Sequence, residues 1–204
     1  MCQTDDVGDM EMTSELAAAK RRVIHDAAIS RFSALGFAGT SMADIADEAA
    51  MSRPALYQYF RNKGDIFVSA FVHLFEDQVE RALLVLNEPG PVAEQLNGFL
   101  QRYEGDLWQR MATTMHSDEI LSAKNADIVA AIDSVVMLLW DGMATYLARV
   151  AVGRSRAVVA RRASWIELLK FSPKGFKFDQ PSVEVYPRRL STLAQSVAAD
   201  IAAS

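Results

Sequence analysis

From Ser14 onward the apolar residues of this chain recur at intervals of three and four, and nowhere in a sustained alternation of two. Side chains three and four apart share one face of a helix, whereas strand neighbours alternate between faces, so this period restricts the chain to an all-α fold. The first stripe is Ile24, Ala27, Ala28, Phe32 and Leu35, in a helix capped by Ser14 and stopped at Gly36. Thr40 and Ser41 announce a second helix holding Met42, Ile45, Ala46 and Ala49, with Asp44 placed to close a capping box on Ser41. Ser52 caps a short third helix; Pro54 falls in its first turn, where a missing N–H costs nothing, and Leu56 and Phe60 point inward. Asn62 caps a fourth helix that carries Ile66, Phe67, Ala70, Phe71, Leu74 and Phe75 and breaks at Asn87–Pro91. The helical period continues over roughly 91–112, 117–123, 125–152 and 155–171. Residues 172–181 read as a loop, and a last helix covers about 183–203.

Charge decides which partners are worth considering. The chain of 204 residues is 50% apolar and 23% charged, the composition of a soluble globular protein of one or two domains, and its formal net charge is −5. Residues 1–13 hold four acids and no apolar period, and are expected to be a disordered acidic tail. Residues 14–66 hold seven Lys/Arg against six Asp/Glu, so no basic surplus marks a nucleic-acid binder, and any such case rests on where particular side chains stand. An architectural DNA-coating protein, which wants a strongly basic surface, is disfavoured on the same ground. A single cysteine, Cys2, excludes an internal disulfide and a Cys-based zinc site. With only three scattered histidines, no metal and no cofactor is expected. The acidic start is unlike a signal peptide, and the longest apolar run, Ile128 to Leu139, is interrupted by Asp133 and too short to span a bilayer. A cytoplasmic location follows as the expectation.

Residues 40–63 read TSMADIADEAAMSRPALYQYFRNK. A helix-turn-helix needs a small residue where its second helix crosses the first, and Ala46 suits that. It needs apolar residues locking the two helices, as Ile45, Met51 and Leu56 can, and a short second helix with a free outer face, here Arg53, Pro54, Tyr57 and Gln58. The Leu-Tyr-Gln-Tyr-Phe run taken alone fits ordinary helix packing better than DNA contact. The whole stretch from Arg22 to Phe67 resembles the DNA-binding domain of the TetR (tetracycline-repressor-like) family. The resemblance is carried by Ile24, Ala27-Ala28, Phe32, Gly36-Phe37, Thr40-Ser41-Met42, Asp44-Ile45-Ala46, Ser52, Leu56-Tyr57, Tyr59-Phe60 and Asn62-Lys63. It implies phosphate contacts at Thr40, Tyr57, Tyr59 and Lys63. It also implies backbone or base-edge contacts at Ser52 and Arg53, and a base packed on Pro54. Gln58 is the candidate reader of adenine or guanine edges. Two positions depart from the family pattern. Ala50 stands where Gly is usual, and a left-handed Ala costs on the order of 1 kcal/mol. Ala43 stands where many relatives carry Arg.

The resemblance further implies a division into a helix-turn-helix domain at 14–62 and a helical effector-binding and dimerisation domain at 63–204. It implies a homodimer formed through the last two helices, a palindromic double-stranded DNA operator, and a small-molecule effector that releases a repressor. The dimer stripes would be Val158, Val159, Trp165, Ile166 and Leu169, then Leu190, Leu193, Ala194, Val197 and Ile201; the alternative is that they bury within one subunit. Pro187 requires the last helix to start near it or to kink. The effector candidates are Phe99, Tyr103, Trp108, Met111, Met115, Met137, Trp140 and Asp141, for which ordinary core packing is the alternative. A helical DNA-binding protein without an effector is the competing function. An enzyme with an incidental helix-turn-helix is the weaker one, because no nucleophile–base pattern, phosphate loop or metal spacing occurs.

Overall fold

The computed structural model describes residues 5–106 and 126–203, with side chains over 15–106 and 132–203. Every regular element among them is helical. Two compact units result, the first of residues 5–74 and 126–129, the second of 75–106 and 130–203. The division falls inside a helix, twelve residues beyond the boundary expected at 62/63.

The first unit holds α1 (Asp5–Gly39), α2 (Met42–Glu48), α3 (Arg53–Tyr59) and the opening turns of α4 (Lys63–Val85). Residues 5–13, expected as a tail, are helical, and Ser14 lies within α1 instead of capping it. The helix dipole favours acids at that end, and Asp5, Asp6 and Asp9 occupy the opening turns. Gly36, at φ 72 and ψ 168, breaks the helix where the sequence requires a stop. Ile24, Ala28, Ile45, Ala46, Leu56 and Ile66 are fully buried, and Leu35, placed in the first stripe by period alone, is exposed. Phe67 of α4 meets Phe32 and Phe37 edge-on, with centroids 5.2 and 5.1 Å apart. These contacts hold the start of α4 in the first unit, which is why the division lies beyond Lys63.

The second unit contains the rest of α4, α5 (Val92–Leu100), a π-helical turn (Gln101–Gly105), most of α6 (Ala126–Val150), α7 (Arg156–Ala160), α8 (Arg162–Phe176) and α9 (Val185–Ala202). The helix expected at 91–112 is thus interrupted by the π turn, and that expected at 155–171 is divided at Arg161. Its second part continues through Pro173, whose buried ring packs in the interior, so the expected loop from 172 begins only at Lys177. Pro187 sits in the first turn of α9, where its absent N–H has no intrahelical partner to lose. The expected helix at 117–123 lies outside the described residues. Leu96, Phe99 and Leu100 of α5, Leu139, Met143 and Leu147 of α6, Trp165 and Leu169 of α8, and Tyr186, Leu190 and Ala194 of α9 form one core. Gly98 lets α5 approach α4 closely: a Cβ there would lie 2.5 Å from Val85 Cγ1. No helix among the described residues is long and apolar enough to cross a membrane.

Candidate functional site

The exposed face of α3 is fixed by caps on both sides of it. Ser41 and Asp44 close a capping box: Asp44 N donates to Ser41 Oγ at 3.2 Å, and Ser41 N to Asp44 Oδ2 at 2.8 Å. The Ser41 bonds hold the Asp44 carboxyl below its ordinary range. At the other end of α2, Ala50 takes φ 52, Met51 N donates to Ala46 O at 3.0 Å, and Ala50 N to Asp47 O at 3.2 Å. That is a Schellman turn built on alanine in the left-handed region, where glycine would be unstrained. Ser52 then caps α3 by accepting from Ala55 N at 3.3 Å, and Asn62 caps α4 by accepting from Asp65 N at 2.9 Å. Leu56 and Phe60 bury the inner face of α3.

The outer face carries Arg53, Pro54, Tyr57 and Gln58, all exposed, with Ser52 exposed at its start and Tyr59 half-buried at its end. These six of the eight expected DNA residues come together on one short helix. The other two are used internally. Thr40 is 2% exposed, and its hydroxyl is directed at the Gly36 and Arg31 carbonyls, 2.7 and 3.2 Å away. Lys63 Nζ donates to the Phe37, Ala38 and Thr40 carbonyls at 2.7, 3.3 and 2.8 Å and lies 4.7 Å from the Phe37 ring centroid. Both act as clasps on the segment between α1 and α2, because the break at Gly36 leaves carbonyls there without helical partners.

Arg21 stands in α1, outside the segment read as the helix-turn-helix. Its guanidinium lies 5.3 Å from the Phe60 ring and 6.0 Å from the Tyr59 ring, adding a cation beside the end of α3. A separation of 38 in sequence between Arg21 and Tyr59 gives no local signal for this. Beneath Phe60 lies His25, 6% exposed, its Nε2 2.9 Å from Ser69 Oγ and its ring 5.1 Å from that of His73. Burial first, then His73 and Arg21, lower its pKa to about 4.

In the second unit, Phe99, Tyr103 and Trp140 form an aromatic cluster with centroids 6.2 to 6.4 Å apart. Phe99 is fully buried, as the core alternative has it, and the other two are half-buried. Met137 is 67% exposed and Asp141 is exposed, so these two effector candidates stand on an outer face of α6. Trp108, Met111 and Met115 lie outside the described residues. The stripes expected to meet a second copy are instead used within the subunit: Val158, Trp165, Leu169, Leu190, Leu193, Ala194, Val197 and Ile201 are all buried in this single chain. Among the residues that α8 and α9 leave outside are Leu168 and Phe171 on one, and Arg188, Thr192, Ser196 and Ala199 on the other.

A short capped helix, packed across a tight turn on a second helix and showing its polar face to solvent, defines a helix-turn-helix DNA-binding domain. The family model of bacterial regulatory proteins of the tetR family matches residues 24–70. Three solved structures share the fold over nearly the whole chain. A regulator assigned to the TetR family from Mesorhizobium loti matches at TM-score 0.61 and 19% identity, over 90% of this chain and 96% of its own. A TetR-family transcriptional regulator from Streptomyces coelicolor matches at 0.56 and 22%, over 89% and 82%. The transcriptional regulator FadR from Bacillus subtilis, in complex with stearoyl-CoA, matches at 0.52 and 19%, over 89% and 97%. Comparison with curated protein sequences gives no match. Residues 24–70 thus match the DNA-binding domain of the bacterial tetR-family regulators, and the chain shares the fold of solved TetR-family regulators over most of its length.

Proposed function

We propose that the protein is a ligand-responsive repressor that grips a palindromic operator as a homodimer and leaves it when a small effector with an apolar part binds the second unit. The observation that carries this reading is the exposed row of Arg53, Pro54, Tyr57 and Gln58 on α3, held out by the Ser52 cap. Arg53 and Gln58 are the base-edge readers, Tyr57 and Tyr59 the phosphate-contacting hydroxyls, and Pro54 the apolar surface for a thymine methyl. Ser52 offers the free N–H groups that follow it as well as its hydroxyl. Thr40 and Lys63 serve by fixing the entry to α2. Seven residues of α3 read too few bases alone, and a two-fold axis doubles the site. Leu168 and Phe171, with the small residues outside α9, are the surface offered to the second copy.

Effector release is a population shift: the ligand favours a form whose recognition helices are wrongly spaced for successive major grooves. The stearoyl-CoA bound by the Bacillus subtilis neighbour favours an effector with an apolar part, and the half-buried Tyr103 and Trp140, backed by Phe99, are the residues to meet it. Nuclease protection of the DNA upstream of the coding sequence tests the DNA half of the proposal. A symmetric protected site competed poorly by random DNA is expected; equal affinity for any duplex, or a strictly monomeric protein that ignores duplexes, overturns it.

A further inference from the structure

Five cations of the second unit are half-buried: Arg81, Arg162, Lys170, Lys177 and Arg189. Four have an oxygen partner. Arg81 pairs with Asp77, Arg162 Nε donates to the Val159 carbonyl at 3.2 Å, Lys177 Nζ meets Glu104 at 2.6 Å, and Arg189 forks onto Asp179 at 2.6 and 2.7 Å. Lys170 has no oxygen partner among the described residues. Its ammonium lies instead against ring faces, 5.9 Å from the Trp140 centroid and 5.5 Å from that of Phe171. A ring face attracts a cation without accepting the geometry of three N–H bonds, so the ammonium's donors stay available.

A second donor reaches the same indole. The Tyr103 ring meets Trp140 edge-on at 6.4 Å, Tyr103 is half-buried, and its hydroxyl has no hydrogen-bond partner among the described residues. Burial first, and the neighbouring Glu104 charge second, push this phenol up to about 12, so it stays protonated and able to donate at neutral pH. Phe99, 6.2 Å from Trp140 and fully buried, backs the indole from the core. Two donors without an oxygen partner among the described residues, beside an aromatic wall, match an anion attached to an apolar body. They do not match a cation, which Lys170 would repel.

We infer that Lys170 and Tyr103 recognise the carboxylate of a monocarboxylic acid whose apolar, ring-sized body lies against Trp140. The inference rests on the reading that the second unit takes an effector, and it gives that effector a chemical class.

Titration calorimetry of the full chain with naphthoate and with naphthamide, equal in shape and different in charge, tests it. The acid is expected to bind at least about tenfold more tightly than the amide, since a hydrogen bond to a charged group is the stronger kind. Lys170→Met should abolish that preference while amide binding and helix content persist, and Tyr103→Phe should weaken acid binding severalfold. Equal binding of acid and amide, binding of neither, or an acid preference that survives Lys170→Met overturns the assignment. Operator release is measured separately. A neutral ligand that releases DNA independently of Lys170 sinks this inference and leaves the effector reading standing. An acid bound at Lys170 that leaves operator affinity unchanged sinks the effector reading alone.

Discussion

The two units are both helical, yet the caps that hold out α3 and the bonds that tie the second unit's helices together span very different distances along the chain. In the first unit the bonds that present α3 are local: Ser41 to Asp44, Ser52 to Ala55 and Asn62 to Asp65 are each three residues apart. In the second, Tyr146 Oη donates to Gln95 across 51 positions, Lys177 to Glu104 across 73, Tyr186 to Glu104 across 82, and Ser191 to Asn97 across 94. A surface set by local caps can be read from a short string of residues, while one assembled by distant pairs depends on the whole fold. The difference also predicts different responses to damage.

The largest expected effects are in the two cores. Leu56→Ala and Trp165→Ala each empty a fully buried site and should cost about 2–5 and 3–5 kcal/mol. Chemical unfolding followed by circular dichroism checks this, and Leu56→Ala should also abolish operator binding. Equal loss of binding in Trp165→Ala at temperatures where it remains folded would erase the functional contrast between the units.

Next is acid sensitivity. His25 has a folded-state pKa of about 4 against an ordinary 6.5, so it is neutral in the folded chain and takes up a proton on unfolding in between. Its contribution is complete above pH 6.5 and is lost as pH falls toward 4, by an amount on the order of 3 kcal/mol. Unfolding free energies measured across that range should fall more steeply in the native chain than in His25→Asn; parallel curves would refute the assignment.

A smaller effect separates clasp from reader. Lys63→Met removes charge-assisted bonds to three carbonyls and should cost about 1.5–3 kcal/mol of stability. Arg53→Ala should leave stability within about 0.5 kcal/mol and weaken operator binding by about 1–3 kcal/mol. Melting curves and gel shifts on the same two variants check both, and the reverse pattern would exchange their roles. The smallest effect is a gain: Ala50→Gly relieves the left-handed residue and should stabilise by about 1 kcal/mol, visible as a raised unfolding midpoint.

The sequence reading succeeded where the deciding interaction is short. The capping box, the Ser52 and Asn62 caps, the stop at Gly36 and the left-handed Ala50 are all contained in segments of a few residues. It failed where one residue type serves two purposes. A lysine opening α4 looks the same whether it reaches outward to phosphate or back to three carbonyls. An apolar stripe on a terminal helix looks the same whether it meets a second copy or its own α5. Neither Thr40's burial nor Arg21's place beside Tyr59 is written in local spacing. The start of α1 was missed because acids with no apolar period resemble a tail, although the helix dipole accepts them.

Trp165 carries one more consequence. Its indole is 1% exposed and donates to Asp200 at 2.7 Å, while Trp140 stands half open to solvent. Among its described residues the second unit therefore contains one shielded indole and one that dissolved quenchers can reach. Optical signals from the two will report on different depths of the same body, the inner one changing only when α8 and α9 come apart.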